Sequence, residues 1–328
     1  METGLYPLKF LPLMKEKIWG GDKIKNIYGI DFSPLNNCGE LWLLSGIEDN
    51  ETMVENGFLA ETPLSEVIAM YMDELLGEKN YEEFGEDFPL LIKIIDAREF
   101  LSVQVHPDDK YAKQIGQENG KSEMWYVLDT EEGSEIISGF NKRLTQAEFV
   151  NRIRDKNLKE VLNSEKAEKG DLFYIPAGRI HAIGSGVMLA EIQQSSDTTF
   201  RVYDWDRKDS KGNERELHIP QAMDVMDFNY VGPSAKSGYD YSMNKTVEMV
   251  DSPYFTTNII HCTEAITKDY SLLDSFVIYF CTEGSGFIHS LGHRIPINMG
   301  EVMLIPAIAT ETSIEPNGII KILETYIK

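Results

Sequence analysis

Hydrophobic positions along this chain recur mostly in twos. Leu101, Val103 and Val105 alternate with Ser102, Gln104 and His106, the period of a strand that buries one face. Phe100 to Val105, Met124 to Leu128, Asp171 to Ile175 and Phe276 to Phe280 are similar stretches, rich in Val, Ile, Tyr and Phe and cut by Gly, Pro and Asn, and they predict a mainly β protein. Helical spacing is the exception. One helix is expected from near Pro63, with Val67, Ile68, Tyr71, Leu75 and Leu76 on its stripe and Gly77 as its stop. A second starts at Thr145, where Glu148 completes a capping box and Phe149 with Ile153 begins an apolar stripe. A third, short one is expected over Leu158 to Leu162. All three read as packing elements flanking the sheet.

A turn–strand–proline pattern occurs twice. Gly170-Asp171-Leu172-Phe173-Tyr174-Ile175-Pro176 and Gly300-Glu301-Val302-Met303-Leu304-Ile305-Pro306 share glycine, acidic residue, apolar strand and proline. The spacing between the copies is far too long for a solenoid, so the pattern predicts a duplicated β-barrel module. The first copy continues through Gly178 to His181; the second has Ile308 and Glu311 at those places, which predicts one functional barrel and one degenerate barrel. The expected division is 1–235, with the helices inserted, and 236–328. A polar connection is expected from about Pro233 to Ser252, with Gly232 just before it. Within the second module, Gly284-Ser285-Gly286 and Ser290-Leu291-Gly292 read as hairpin turns.

Composition narrows the function. The 328 residues carry 31 Lys plus Arg against 54 Asp plus Glu, a net charge of −23, and such a field repels phosphate backbones and anionic lipid. Nucleic-acid and membrane-surface roles are therefore not expected. No apolar run approaches the roughly 18 residues of a membrane span, and Met1 to Phe10 lacks the layout of an export signal. Cys38, Cys262 and Cys281 are odd in number and far apart, which argues against a disulfide framework or thiolate zinc site and for a cytoplasmic protein. Cys38, beside Gly39, reads as a small buried residue.

Chemistry gathers on the polar face of the first strand. Ser102, Gln104 and His106 share that face, and in a barrel it points into the lumen. Glu123, at the head of the next strand, and His181, after the Pro176-x-Gly178 turn, complete a set of two imidazoles, a carboxylate and an amide oxygen. Such a set suits Zn²⁺ and admits Mn²⁺ or Fe²⁺. Gln104 is its weakest donor and reads either as a ligand or as a group supporting one. Asp197 and Arg201 fall on one face if their segment is extended. His218, His261, His289 and His293 lie outside any convergent motif and read as surface or structural residues.

These residues carry a resemblance. Gly-x5-Pro-x-Gly-x2-His is similar to the second signature of cupin barrels. The run Gln104-x-His106-Pro107-Asp108, Lys121-x-Glu123, His181 and Asp197-x3-Arg201, with Trp19-Gly20-Gly21 and Gly39-Glu40-Leu41-Trp42 before it, resembles type I mannose-6-phosphate isomerases over about Leu5 to Arg207. The resemblance implies two cupin jelly-roll barrels, the second degenerate, and a zinc-dependent interconversion of mannose 6-phosphate and fructose 6-phosphate. It implies that Arg201 is the active-site arginine. An arginine does not deprotonate, so its expected part is to stabilise the cis-enediolate or to position O1 and O2. Lys121 and Asp197 are the candidates for proton handling. Phosphate contacts are implied at Ser102 and at Arg207, six residues after the arginine. Longer family members have a histidine before the lysine where this chain has Gly120, so any role of that histidine does not transfer, and the chain groups with the compact bacterial and archaeal forms. A non-catalytic sugar-binding cupin that keeps its metal as a brace is the rival reading, and a metal-dependent oxygenase a weaker one. A brace has no need of a positioned lysine and arginine. The sequence carries no signal for a particular oligomeric state.

Overall fold

The computed structural model describes residues 4–208, 211–229, 231 and 235–328. The chain is mainly β and forms two compact units. One comprises Met14–Leu41 and Ile92–Ser237; the other comprises Met1–Leu13, Trp42–Leu91 and Gly238–Lys328. The units therefore do not follow the single cut at 235/236: the first strand, Leu8–Leu11, pairs with Val302–Ile305, with Leu8 opposite Leu304, and belongs to the unit built from the C-terminal module. The change of unit at Ser237 falls inside the expected connecting segment, of which Gly232 and Pro233 lie outside the described residues. The strand Lys245–Asp251 already belongs to the second unit's sheet.

The Ile92–Ser237 portion carries two sheets. Five strands run in the order Leu162–Lys166, Glu135–Phe140, His181–Ile183, Val103–Val105 and Phe200–Tyr203. A second sheet is centred on Leu172–Ile175, Glu123–Thr130 and Val187–Gln194. Trp125, Val127, Ile136, Phe173, Ile183 and Leu189 form a core drawn from both sheets. On the other face of the five-stranded sheet, Val103, Val105, Phe140 and Val202 pack against Phe149 and Leu158 from the helical segments. Burying a residue the size of Phe149 contributes roughly 1.5–3 kcal/mol. Those segments are the expected ones: Gln146–Arg154 with both halves of the Thr145–Glu148 capping box formed, and a 3₁₀ turn over Leu158–Val161. The Pro63 helix spans Leu64–Leu76, is kinked at Met72 and stops at Gly77.

The two turn–strand–proline copies form equivalent strands, Leu172–Ile175 and Val302–Ile305. Each is entered through a glycine of positive φ, 92° at Gly170 and 88° at Gly300, a conformation that costs glycine little. Ser290-Leu291-Gly292 makes the expected hairpin, with Leu291 and Gly292 both at positive φ. Gly284-Ser285-Gly286 does not. It lies inside the long strand Val277–Ser290 at a break in register, so these glycines serve a bulge rather than a turn. The strand that carries Gln104 is also shorter than its sequence pattern, Val103–Val105 rather than Phe100 to Val105. Cys38, Cys262 and Cys281 are all free and buried, and burial raises the Cys38 thiol to about 11, leaving it inert. Among the described residues no helix is long and apolar enough to cross a membrane.

Candidate active site

The pleat decides what the barrel interior receives. Because Val103 and Val105 are spent on the helix-packed face, Ser102, Gln104 and His106 turn to the opposite one. Gln104 pairs with His181 on one side and with Arg201 on the other. Glu123 arrives from the facing sheet, paired with Ile175 and Gln193. The Pro176-x-Gly178 turn ties the two histidines together: Gly178 N donates to the His106 carbonyl at 2.9 Å. Gly178 has φ of 84°, and a Cβ there would stand 2.9 Å from the Val225 carbonyl oxygen.

Both imidazoles are oriented by main-chain carbonyls. His106 Nδ1 lies 2.9 Å from Thr198 O and His181 Nδ1 2.8 Å from Arg179 O, which places the proton on Nδ1 and the lone pair on Nε2. The two Nε2 atoms converge on one carboxylate, His106 at 3.6 Å from Glu123 Oε2 and His181 at 3.4 Å from Glu123 Oε1. A tetrahedral ion with bonds of about 2.0–2.1 Å would hold its ligand atoms about 3.3 Å apart, close to these spacings. All three side chains are buried, yet His106 Nε2 and both Glu123 oxygens have no hydrogen-bond partner. Buried polar atoms left unsatisfied call for an explanation, and a cation supplies it. Burial holds His181 at about 4 and His106 well below its usual range, so both rings are neutral, as ligation requires. His106, Glu123 and His181 could hold a metal ion, and they are the only such cluster of His, Cys, Asp or Glu among the described residues. The corresponding positions of the degenerate module, Ile308 and Glu311, face solvent instead. Gln104 borders the cluster with its amide nitrogen 3.3 Å from His181 Nε2 and its oxygen 3.5 Å from Ser102 Oγ.

A cavity of about 280 Å³ adjoins this cluster. Ser102, Gln104, Lys121, Asp197 and Arg201 all line it, as the sequence reading requires. Lys121 Nζ is 3.6 Å from Glu123 Oε2. Asp197 stands in the irregular stretch before the strand Phe200–Tyr203 rather than in one extended segment with Arg201, so the two reach the cavity by convergence and not by strand alternation. Arg201 donates from Nη1 to Glu216 O at 2.9 Å, its backbone N–H is capped by His218 Nδ1, and its buried Nε has no partner. That accounts for His218 as a structural residue. Burial, then the charge of Arg215, lowers the Arg201 pKa.

Arg207 is placed elsewhere. It lines a separate pocket with Phe100, Lys159 and Trp205, and its guanidinium is committed to Asp204 at 2.7 Å and Glu99 at 3.6 Å.

Five charged residues of the cavity were not among the candidates: Lys17, Glu40, Lys93, Glu191 and Arg215. Lys93 Nζ and Glu191 Oε2 are 2.8 Å apart, and Glu191 Oε1 accepts from Trp125 Nε1 at 2.9 Å. Burial alone would raise Glu191, but Lys93 beside it holds it ionised. Glu123 is pushed up, by burial first and then by the Glu191 charge. A signal was there to be read. Lys93 interrupts Leu90-Leu91-Ile92-Lys93-Ile94-Ile95, and Glu191 interrupts Met188-Leu189-Ala190-Glu191-Ile192; a single charge in a wholly apolar strand needs a partner.

Gly120 explains how Lys121 is aimed. A Cβ there would stand 2.6 Å from Asp108 C and Asp109 N, so the position has no room for any side chain. Lys121 N bonds Pro107 O at 2.9 Å from the same tight turn. Gly120→Ala is expected to displace Lys121 and lower kcat by about 10²-fold, as misplacements of about 1 Å do, with metal content unchanged. Unaltered turnover would show that the turn does not aim the lysine.

A family model for the type I phosphomannose isomerase catalytic domain matches residues 8–142. The chain is 40% identical to the mannose-6-phosphate isomerase of Streptococcus mutans over 76% of its own length and 77% of that protein. It is 35% identical to mannose-6-phosphate isomerase ManA of Bacillus subtilis over 92% of this chain and 93% of the relative. The chain belongs to the type I phosphomannose isomerase family. The crystal structure of a mannose 6-phosphate isomerase from Bacillus subtilis superposes on this chain with a TM-score of 0.87 at 31% identity, covering 98% of this chain and 99% of that one. The phosphomannose isomerase fold therefore extends beyond the matched catalytic domain to the C-terminal module.

Proposed function

We propose that this cavity interconverts mannose 6-phosphate and fructose 6-phosphate through a cis-enediol, in a cytoplasmic, zinc-dependent enzyme. The observation that carries the reading is the set of buried, unpartnered ligand atoms on His106 and Glu123 opening beside Lys121 and Arg201. A sugar-binding module braced by metal would need only the former.

His106, Glu123 and His181 would hold the ion, with the Gln104 amide turned so that its oxygen faces it; two imidazoles, a carboxylate and an amide oxygen suit Zn²⁺ and admit Mn²⁺ or Fe²⁺. When bound, the ion supplies Lewis-acid polarisation of a substrate oxygen. The rest falls to the chain's own side chains. Isomerisation moves a proton between C2 and C1 and a second one between O1 and O2. Lys121 and Asp197 are the proton carriers for these two transfers. Arg201 stays charged and donates to the oxygens on which negative charge develops. The Lys93–Glu191 pair fixes the charge behind Lys121, and Ser102 meets the phosphate. Arg207 acts on that end of the cavity through Asp204. The test is a coupled assay of the purified protein on mannose 6-phosphate. Turnover lost to a chelator and restored by Zn²⁺ is expected; turnover of free mannose at an equal rate, or none on either sugar, overturns the reading.

A further inference from the structure

Three arginines surround one buried carboxylate at the rim of this cavity. Asp204, only 6% exposed, accepts from Arg215 on both oxygens, with Nε at 2.7 Å from Oδ2 and Nη2 on Oδ1, and from Arg207 Nη2 at 2.7 Å. Arg201 is the third, close enough for Arg215 and Arg207 to depress its basicity. Two carboxylates, buried Asp204 and half-exposed Glu99, against three guanidiniums leave a local surplus of positive charge in a protein of net charge −23. A surplus of that kind costs stability unless an anionic ligand uses it.

The three guanidiniums do not face the same space. Arg215 and Arg201 line the active-site cavity together with Ser102, whereas Arg207 lines the pocket of Phe100 and Trp205. On adjoining strands Gln104 is opposite Arg201 and Val103 opposite Tyr203, where the ladder ends; Asp204 follows Tyr203 directly. Ser102, two residues before Gln104, lines the same cavity as Arg215, the residue that Asp204 clamps. Arg215 gives two of its five N–H groups to Asp204. The carboxylate therefore locks the guanidinium plane while leaving donors for the cavity, as bidentate recognition of phosphate demands.

We infer that Arg215, clamped by Asp204, is the guanidinium that binds the substrate's phosphate beside Ser102, and that Arg207 is a positioning residue acting through Asp204. The inference rests on the isomerase reading above.

Kinetics on mannose 6-phosphate, with inorganic phosphate as a competitive probe, test it. Arg215→Ala is expected to raise KM by about 10- to 100-fold, the worth of a hydrogen-bonded charge, while kcat moves by less than about threefold because the contact serves substrate and transition state alike. Inhibition by inorganic phosphate should be lost in the same variant. Arg215→Lys should recover part of both, which a purely structural role would not produce, and Arg207→Ala and Asp204→Asn should raise KM by smaller factors. Should the alanine variant fail to fold, Arg215→Lys and Arg215→Gln give the same comparison. An unchanged KM and unchanged phosphate inhibition in Arg215 variants of an active enzyme overturn the inference, as does an Arg207→Ala effect larger than that of Arg215→Ala. An inactive wild type overturns the isomerase reading instead, so the two failures are distinct.

Discussion

Substituting His181 by alanine is expected to strip the metal and abolish isomerisation. Its Nε2 is one of three ligand atoms drawn from separate strands and turns, and its Nδ1 is already anchored to Arg179 O, so no neighbour can swing in to replace it. Loss of an orienting partner alone costs 10- to 100-fold in affinity; loss of the ligand itself should exceed about 10²-fold. Metal analysis of the purified variant and the coupled assay read this directly. His289→Ala, a surface histidine paired with Glu315, should leave both unchanged. The same site predicts a pH trend. In the metal-free protein burial and the Glu191 charge push the Glu123 carboxyl up to about 8. At neutral pH the ion must then displace a proton, and affinity should rise as pH climbs toward 8 and fall as pH drops. Full occupancy and turnover in His181→Ala would remove these residues from the metal site.

Arg201→Ala is expected to fold, keep its metal and lose kcat by about 10²- to 10³-fold, the effect of deleting one preorganised donor where transition-state charge develops. The arginine touches none of the three ligand atoms, and its anchors are the Glu216 carbonyl and a backbone contact to His218. KM should move little. Arg201→Lys should rescue poorly, because an ammonium keeps the charge without the planar fork. If KM rises while turnover is preserved, Arg201 belongs to the phosphate end of the cavity and the enediolate role is wrong.

The metal cluster was legible in the sequence because a strand's period of two assigns faces without any knowledge of partners. Val103 and Val105 had to be buried, so Gln104 and His106 had to point the other way. The capping box at Thr145 and the stop at Gly77 were legible for the same reason, being written in local chemistry. Arg207 was not, since strand alternation lapses beyond Tyr203, where Trp205 and Asp206 take positive φ and turn the chain. Arg215 lies in a stretch without periodicity, and only the folded position of Asp204 brings it to the cavity. Lys93 and Glu191 were legible as charges in apolar strands, but their pairing depends on a sheet order that no local pattern encodes. The glycines at 284 and 286 misled because a bulge and a turn ask the same backbone freedom of the residue.

The pairing of Leu8–Leu11 with Val302–Ile305 sets an order of events during synthesis. All residues of the unit that carries the candidate metal centre, Met14–Leu41 and Ile92–Ser237, are made before Gly238, so that centre can assemble while seven of the nine strands of the other unit's sheet are still to come. The first strand has an early neighbour in Met53–Val54, but its other edge stays bare until Val302–Ile305 emerges. A long-lived open edge invites pairing with another chain. The nascent protein is thus most exposed to misassembly at its oldest strand, and it is released from that hazard by some of its youngest residues.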